Sequence, residues 1–336
     1  MTPFPHHVND GFRRPSRREL LTGMAALGAA GFLANIKSSA QNPAQRRVID
    51  VHHHIVPPQF MAIHREDMIR GGAGQPYVLE WTPQVSLDEM DAAGVSTSIL
   101  SLSTPGTWFG SVEDGRKMSR IVNEFASGMG RDHPGRFGFF ASIPLPDIEG
   151  SLKEMDYAFG TLKADGVAIV TSYDTIPVGD KSFWPVFEEL NRRKAVVFMH
   201  RTSATCCLNL RQDPANQEFI VDDLRALNNL LTSGTLARFP DMRLIHSHGD
   251  KVMAWVAKLN GAPINGPARA DNPPWAPQGV QQQLRQLYVD SAGNNKYSMD
   301  ELRALGMLGN RTMFGTDVPW GNVPNSLKEI TNIEDK

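Results

Sequence analysis

The chain is poor in cysteine: only Cys206 and Cys207 occur in 336 residues. Bridging neighbouring cysteines forces a strained small ring, so a disulfide framework is excluded, and two thiols cannot build a four-thiolate zinc site. No apolar run reaches the ~20 residues that span a bilayer; the longest candidate, Leu20 to Ala34, is too short for an anchor. Charge of one sign is also missing. With 34 Lys and Arg against 36 Asp and Glu, the net charge is −2, which leaves no electrostatic reason to expect nucleic acid. No glycine-rich phosphate loop follows an early strand. The "GGAG" at 71–74 follows no strand directly and opens no helix, so it reads as a flexible loop.

The first forty residues differ from the rest. They hold a basic start, the pair Arg17 and Arg18, the uncharged stretch to Ala34, and Ser38-Ser39-Ala40 as a small-residue cleavage site. Residues 1–40 therefore look like a twin-arginine export signal, which carries folded proteins to the periplasm. Cleavage after Ala40 would remove five positive and two negative charges, moving the net charge from −2 to −5.

From residue 47, short runs rich in Val, Ile and Phe alternate with longer amphipathic segments, the pattern of strand-helix units around a parallel sheet. Eight runs can be traced: 47–56, 97–102, 137–144, 166–173, 195–202, 243–248, 287–293 and 312–320. That count predicts a single (β/α)8 TIM barrel domain over 41–336. A doubly wound sheet is the alternative, without the phosphate loop it normally brings. Residues 57–86 are too long for a simple connection and are expected to form an inserted hairpin or lid. The Pro/Gly/Asn-rich 261–279 reads as a loop shaping one wall of the site.

Histidines concentrate at the predicted strand ends. His52, His53, His54, His200, His246 and His248 lie there, where barrels of this type carry catalytic groups; His64 and His133 do not. Residues two apart on a strand face one way, so in "DVHHH" His52 and His54 point together while His53 turns away. His200 from strand five and Asp317 from strand eight would complete three nitrogens and one oxygen. Zinc accepts that set, with manganese as the alternative, and such an ion lowers the pKa of a bound water. His53 and His246 are expected to be hydrogen-bonded core residues. Asp317 as a helix N-cap is the alternative for that residue.

The motifs "IDVHHHIVPP", "VFMHRT", "IHSHGD" and "MFGTDVPW" resemble the amidohydrolase superfamily, in its amidohydrolase-2 branch, which includes aminocarboxymuconate semialdehyde and 6-methylsalicylate decarboxylases. The resemblance spans about 47–322. It implies His52, His54, His200 and Asp317 as metal ligands, and His248 as the base or proton shuttle working with Asp317. Where the family usually has a second glycine after "HG", this chain has Asp250, a carboxylate that would raise the pKa of His248. Two-metal members carry a lysine or glutamate on strand four. "GVAIVTSY" has neither, so one divalent ion is expected.

The resemblance implies non-oxidative decarboxylation of an aromatic or unsaturated carboxylic acid, and a homodimer. A metal-dependent lactone, ester or amide hydrolase is the alternative, and a binding protein that has lost turnover is the third. Trp108 and Phe109 after strand two suit a planar substrate, and Arg201 is the candidate carboxylate partner, although its strand position turns it from the metal side.

Overall fold

The structure is a computed structural model that describes residues 47–202, 214–261, 272–293, 300, 303–304, 306 and 311–321. Residues 1–40, expected to be an export signal, Cys206 and Cys207, residues 262–271 of the proline-rich loop and the segment after Gly321 lie outside them.

Each anticipated apolar run forms a strand: β1 (Val48–Ile55), β2 (Val95–Leu102), β3 (Phe137–Ser142), β4 (Gly166–Val170), β5 (Val196–His200), β6 (Arg243–His246), β7 (Tyr288–Asp290) and β8 (Thr312–Met313). They pair in sequence order, all parallel. The extended chain after β8 then returns to β1. Val51 N donates to Phe314 O (2.9 Å) and His54 N to Val318 O (2.8 Å), so first and last strands meet and the sheet closes into the (β/α)8 barrel.

The barrel interior is filled below its mouth. Phe140, Ala168, Phe198 and Ile245 are buried there, with Ile99, Val196, Tyr288 and Met313 packed on them. Phe140 and Phe198 stack at 5.4 Å, and Phe198 meets the ring of His52 edge-on at 5.1 Å. Phe198 is thus the floor of the site. Truncating so buried a ring costs about 3–5 kcal/mol.

Helices cover the outside. After β1 come α1 (Pro58–Arg70), α2 (Pro76–Leu79) and α3 (Pro83–Ala93); then α4 (Val112–Asp132), α5 (Ile148–Tyr157), α6 (Trp184–Arg192), α7 (Pro214–Thr232), α8 (Thr235–Arg238), α9 (Asp250–Leu259) and α10 (Val280–Leu284) follow their strands. Caps explain several starts. Ser111 Oγ accepts from Asp114 N (3.2 Å) at α4, and an Asp147 oxygen accepts from Gly150 N (3.1 Å) at α5. Met118, Val122, Ala126 and Met129 then place one buried stripe of α4 against the sheet.

The segment 57–86, expected as a hairpin or lid, is helical. Pro58, Pro76 and Pro83 each open a helix, a position where proline's missing N–H costs nothing. The "GGAG" loop is packed: Ala73 is fully buried, and a side chain at Gly72 (φ 89°) would meet the Phe219 ring at 3.2 Å. Among the described residues no helix is long and apolar enough to cross a membrane.

Candidate metal centre

Two imidazoles enter the barrel from β1. Their register against β2 shifts between Asp50 and His53, a bulge that re-aims the side chains. His52 and His54 bring their Nε2 atoms to 2.9 Å, with rings edge-on at 4.7 Å. His200, the last residue of β5, places its ring 4.6 Å from that of His54 and 5.1 Å from that of His52. His248 lies in the turn after β6 with a left-handed backbone (φ 51°), and its ring is 4.8 Å from that of His52. Asp317, also left-handed (φ 61°), completes the group.

The carboxylate of Asp317 divides the cluster. Its Oδ1 is 3.2 Å from Nε2 of both His52 and His54, while Oδ2 is 3.5 Å from Nε2 of His248. One donor atom each from His52, His200, His248 and Asp317 lies within 4.8 Å of the others. All five residues assigned from sequence are therefore together at the mouth.

The far side of every ring is occupied. His52 Nδ1 faces Asp290 Oδ2 (2.8 Å), His200 Nδ1 faces Arg201 O (2.8 Å), His248 Nδ1 faces Ala292 O (2.9 Å), and His54 Nδ1 meets Ser101 Oγ (3.1 Å). A carbonyl or carboxylate can only accept, so Nδ1 of His52, His200 and His248 donates, and their neutral tautomers present an Nε2 lone pair to the centre. His200 Nε2 is buried without a hydrogen-bond partner among the described residues. An orphaned lone pair is costly in a protein interior and is what a cation would satisfy. These donors fit a divalent metal ion of the zinc or manganese type.

The electrostatics agree. Burial pushes His52 down, but Asp290 and Asp317 outweigh it and raise its pKa to about 10. Burial lowers His54. It also takes His200 well below its ordinary value, helped by the neighbouring imidazoles. Asp317 is pushed up by burial, yet His52, His54 and His248 hold it well below the usual carboxylate range. Without metal the group thus pairs a firm anion, Asp317, with a protonated His52 and neutral His54 and His200.

Other anticipated residues lie elsewhere. His53 is fully buried between Asp50 and Ser86. His246 reaches α7 instead, where its Nε2 is 3.4 Å from Asp223 Oδ1. The Asp250 side chain lies outside the described residues. Trp108 donates its indole N–H to Asp174 (2.8 Å), and Phe109 stacks on His64 at 3.9 Å. Arg201 sits over the Phe219 ring at 5.5 Å.

Sequence reasoning passed over three neighbours of the cluster. Asp290 and Ser101 stand behind His52 and His54. Trp320 meets the ring of His54 edge-on at 5.3 Å and offers an aromatic wall. The available signals were Asp290 inside the predicted strand 287–293 and Trp320 three residues after Asp317.

A family model described as amidohydrolase matches residues 49–335. Decarboxylase yanB of Aspergillus niger is 34% identical over 305 residues, covering 85% of this chain and 81% of that protein. The 6-methylsalicylic acid decarboxylase of Penicillium expansum is 32% identical, with 85% and 88% covered. Among solved structures, a dihydroxybenzoic acid decarboxylase from a Polaromonas species, holding manganese and the inhibitor 2-nitroresorcinol, superposes with a TM-score of 0.69 at 17% identity, over 85% of this chain and 91% of that one. Since the match begins inside β1 and takes in every strand through β8, the chain belongs to the amidohydrolase family.

Proposed function

We propose that this chain is a metal-dependent, non-oxidative decarboxylase of aromatic hydroxy acids. The convergence of four imidazoles and Asp317 at the barrel mouth carries the proposal, and the decarboxylase names of its relatives support it. His52, His54, His200 and Asp317 would hold the ion, since Asp317 Oδ1 joins the first two and the His200 ring lies closer to His54 than to His248, whose donor atom also converges on the group. Zinc and manganese both suit this set, and the manganese of the dihydroxybenzoic acid decarboxylase supports the second. A divalent ion there would anchor the substrate's carboxylate and neighbouring hydroxyl and draw off their negative charge.

The ring carbon that loses CO2 must gain a proton, and His248 is placed to give it. Its Nδ1 is tied to Ala292 O, so a second proton on Nε2 lies against Asp317 Oδ2 until the carbon takes it. The C–CO2 bond then breaks, its electron pair remains with the ring, and the ring regains aromaticity. Trp320 supplies a flat apolar wall for a planar substrate.

The test is CO2 release from 6-methylsalicylate and dihydroxybenzoates by metal-reconstituted protein. His248→Asn should keep the metal and lose turnover by about 10²–10⁴-fold. Acid release from lactones with no CO2 from any of these acids would overturn the proposal in favour of a hydrolase. Periplasmic export is part of the same proposal, supported by Arg17 and Arg18. Changing both to Lys should leave the protein in the cytoplasm, and unaltered export would sink it.

A further inference from the structure

His53 is the member of the histidine triplet that the chemistry above does not use. Its Nε2 lies 2.7 Å from Ser86 Oγ and its Nδ1 3.1 Å from Asp50 Oδ2. Serine, histidine and aspartate at these distances are the parts of an acyl-transfer triad. Asp50, His53 and Ser86 are all fully buried, so no substrate reaches the serine and a nucleophilic role is excluded.

The direction of the chain is forced at one end. Trp81 Nε1, which can only donate, gives its hydrogen to Ser86 Oγ at 3.1 Å. A hydroxyl can accept twice, so Asp50 sets the direction: its carboxylate only accepts, Nδ1 carries the hydrogen given to it, and Nε2 is left to accept from the Ser86 hydroxyl. Asp50 gathers four donors in total. Oδ1 accepts from the backbone N–H of His52 (3.0 Å) and of Thr316 (3.1 Å), and Oδ2 accepts from Thr316 Oγ1 (2.6 Å) besides His53. The carboxylate thus grips the residue before Asp317 and the bulge that aims His52. Asp317 N in turn donates to His52 O at 2.8 Å.

We propose that His53 is a positioning residue for the metal centre. By donating to Asp50 it holds that carboxylate in the one orientation that fixes both the His52 bulge and the left-handed turn of Asp317. The inference rests on the metal-binding reading of the preceding subsection. The outer part, Trp81 and Ser86, holds the other nitrogen of His53 and ties α3 to β1.

Two isosteric substitutions separate positioning from packing. His53→Asn places an amide N–H where Nδ1 was and keeps the bond to Asp50, while His53→Gln reaches toward Ser86 and loses it. Zinc affinity by chelator competition, the visible bands of the cobalt-substituted protein and Tm are measured for each. The Asn variant should stay within about threefold of wild type, and the Gln variant should bind about 10–100-fold more weakly with altered cobalt bands. Thr316→Val, which removes the hydroxyl received by Asp50, should behave like Gln, and Thr316→Ser like wild type. That contrast applies even if a His53 variant fails to fold. Equal affinities in the Asn and Gln variants, or affinities that merely follow Tm in all four, overturn the inference and leave the metal centre standing. Wild type that takes up neither zinc nor cobalt sinks both.

Discussion

Asp290 Oδ2 and His52 Nδ1 lie 2.8 Å apart, a fully buried pair made by residues 238 positions apart in the chain. The same carboxylate accepts from Ala292 N (3.0 Å), so the end of β7 is folded around the oxygen pair that steadies His52. A carboxylate behind a ligating imidazole fixes its tautomer and makes the opposite nitrogen a stronger donor.

Asp290→Asn should therefore weaken metal binding by about tenfold and Asp290→Ala by up to about 100-fold, read by chelator competition. Unchanged affinity in the alanine variant would mean that His52 needs no carboxylate behind it.

The proton on His52 gives a pH prediction. Burial opposes the charge, but Asp290 and Asp317 raise the pKa from 6.5 to about 10. The folded value lies above the unfolded one, so the stabilisation in chelated protein is fully present below pH 6.5 and is lost as pH rises through about 10. Metal must displace that proton. Near neutral pH, uptake should release about one proton to the buffer, measured by calorimetry in buffers of different ionisation heat. Chelated protein should lose Tm from pH 6.5 toward 10, and metal-loaded protein should not. Uptake without proton release would contradict this account.

Gly315 is required by contact. A Cβ there would lie 2.8 Å from His52 Cβ and 3.0 Å from Asp290 Cβ, both stems of buried ring supports with nowhere to move. Gly315→Ala should cost about 1–3 kcal/mol by denaturant unfolding and reduce metal affinity with it. A variant as stable as wild type would show that the β8 turn can yield.

Trp320→Ala should raise KM for an aromatic acid more than it lowers kcat. An aromatic contact worth about 0.5–1.5 kcal/mol predicts a two- to tenfold change, and Trp320→Phe should recover much of it. Steady-state kinetics decide, and a pure kcat effect would place Trp320 in a different role.

What could be read ahead of the structure follows from the range of each interaction. The strands and the shared direction of His52 and His54 are local consequences of β-branched runs and a period of two. The helical insertion was missed because its length was weighed and its three helix-opening prolines were not. Asp290, Ser101 and Ser86 take their meaning from partners on other strands and helices, which no window of sequence displays.

The seam between β1 and the chain following β8 has a consequence for synthesis. His52 leaves the ribosome early, whereas Asp317, bonded through its own N–H to the His52 carbonyl, is among the last described residues to be made. A nascent chain therefore cannot assemble the centre piecemeal. Catalytic competence appears only once the cylinder has been shut, which makes turnover a reporter of completed folding.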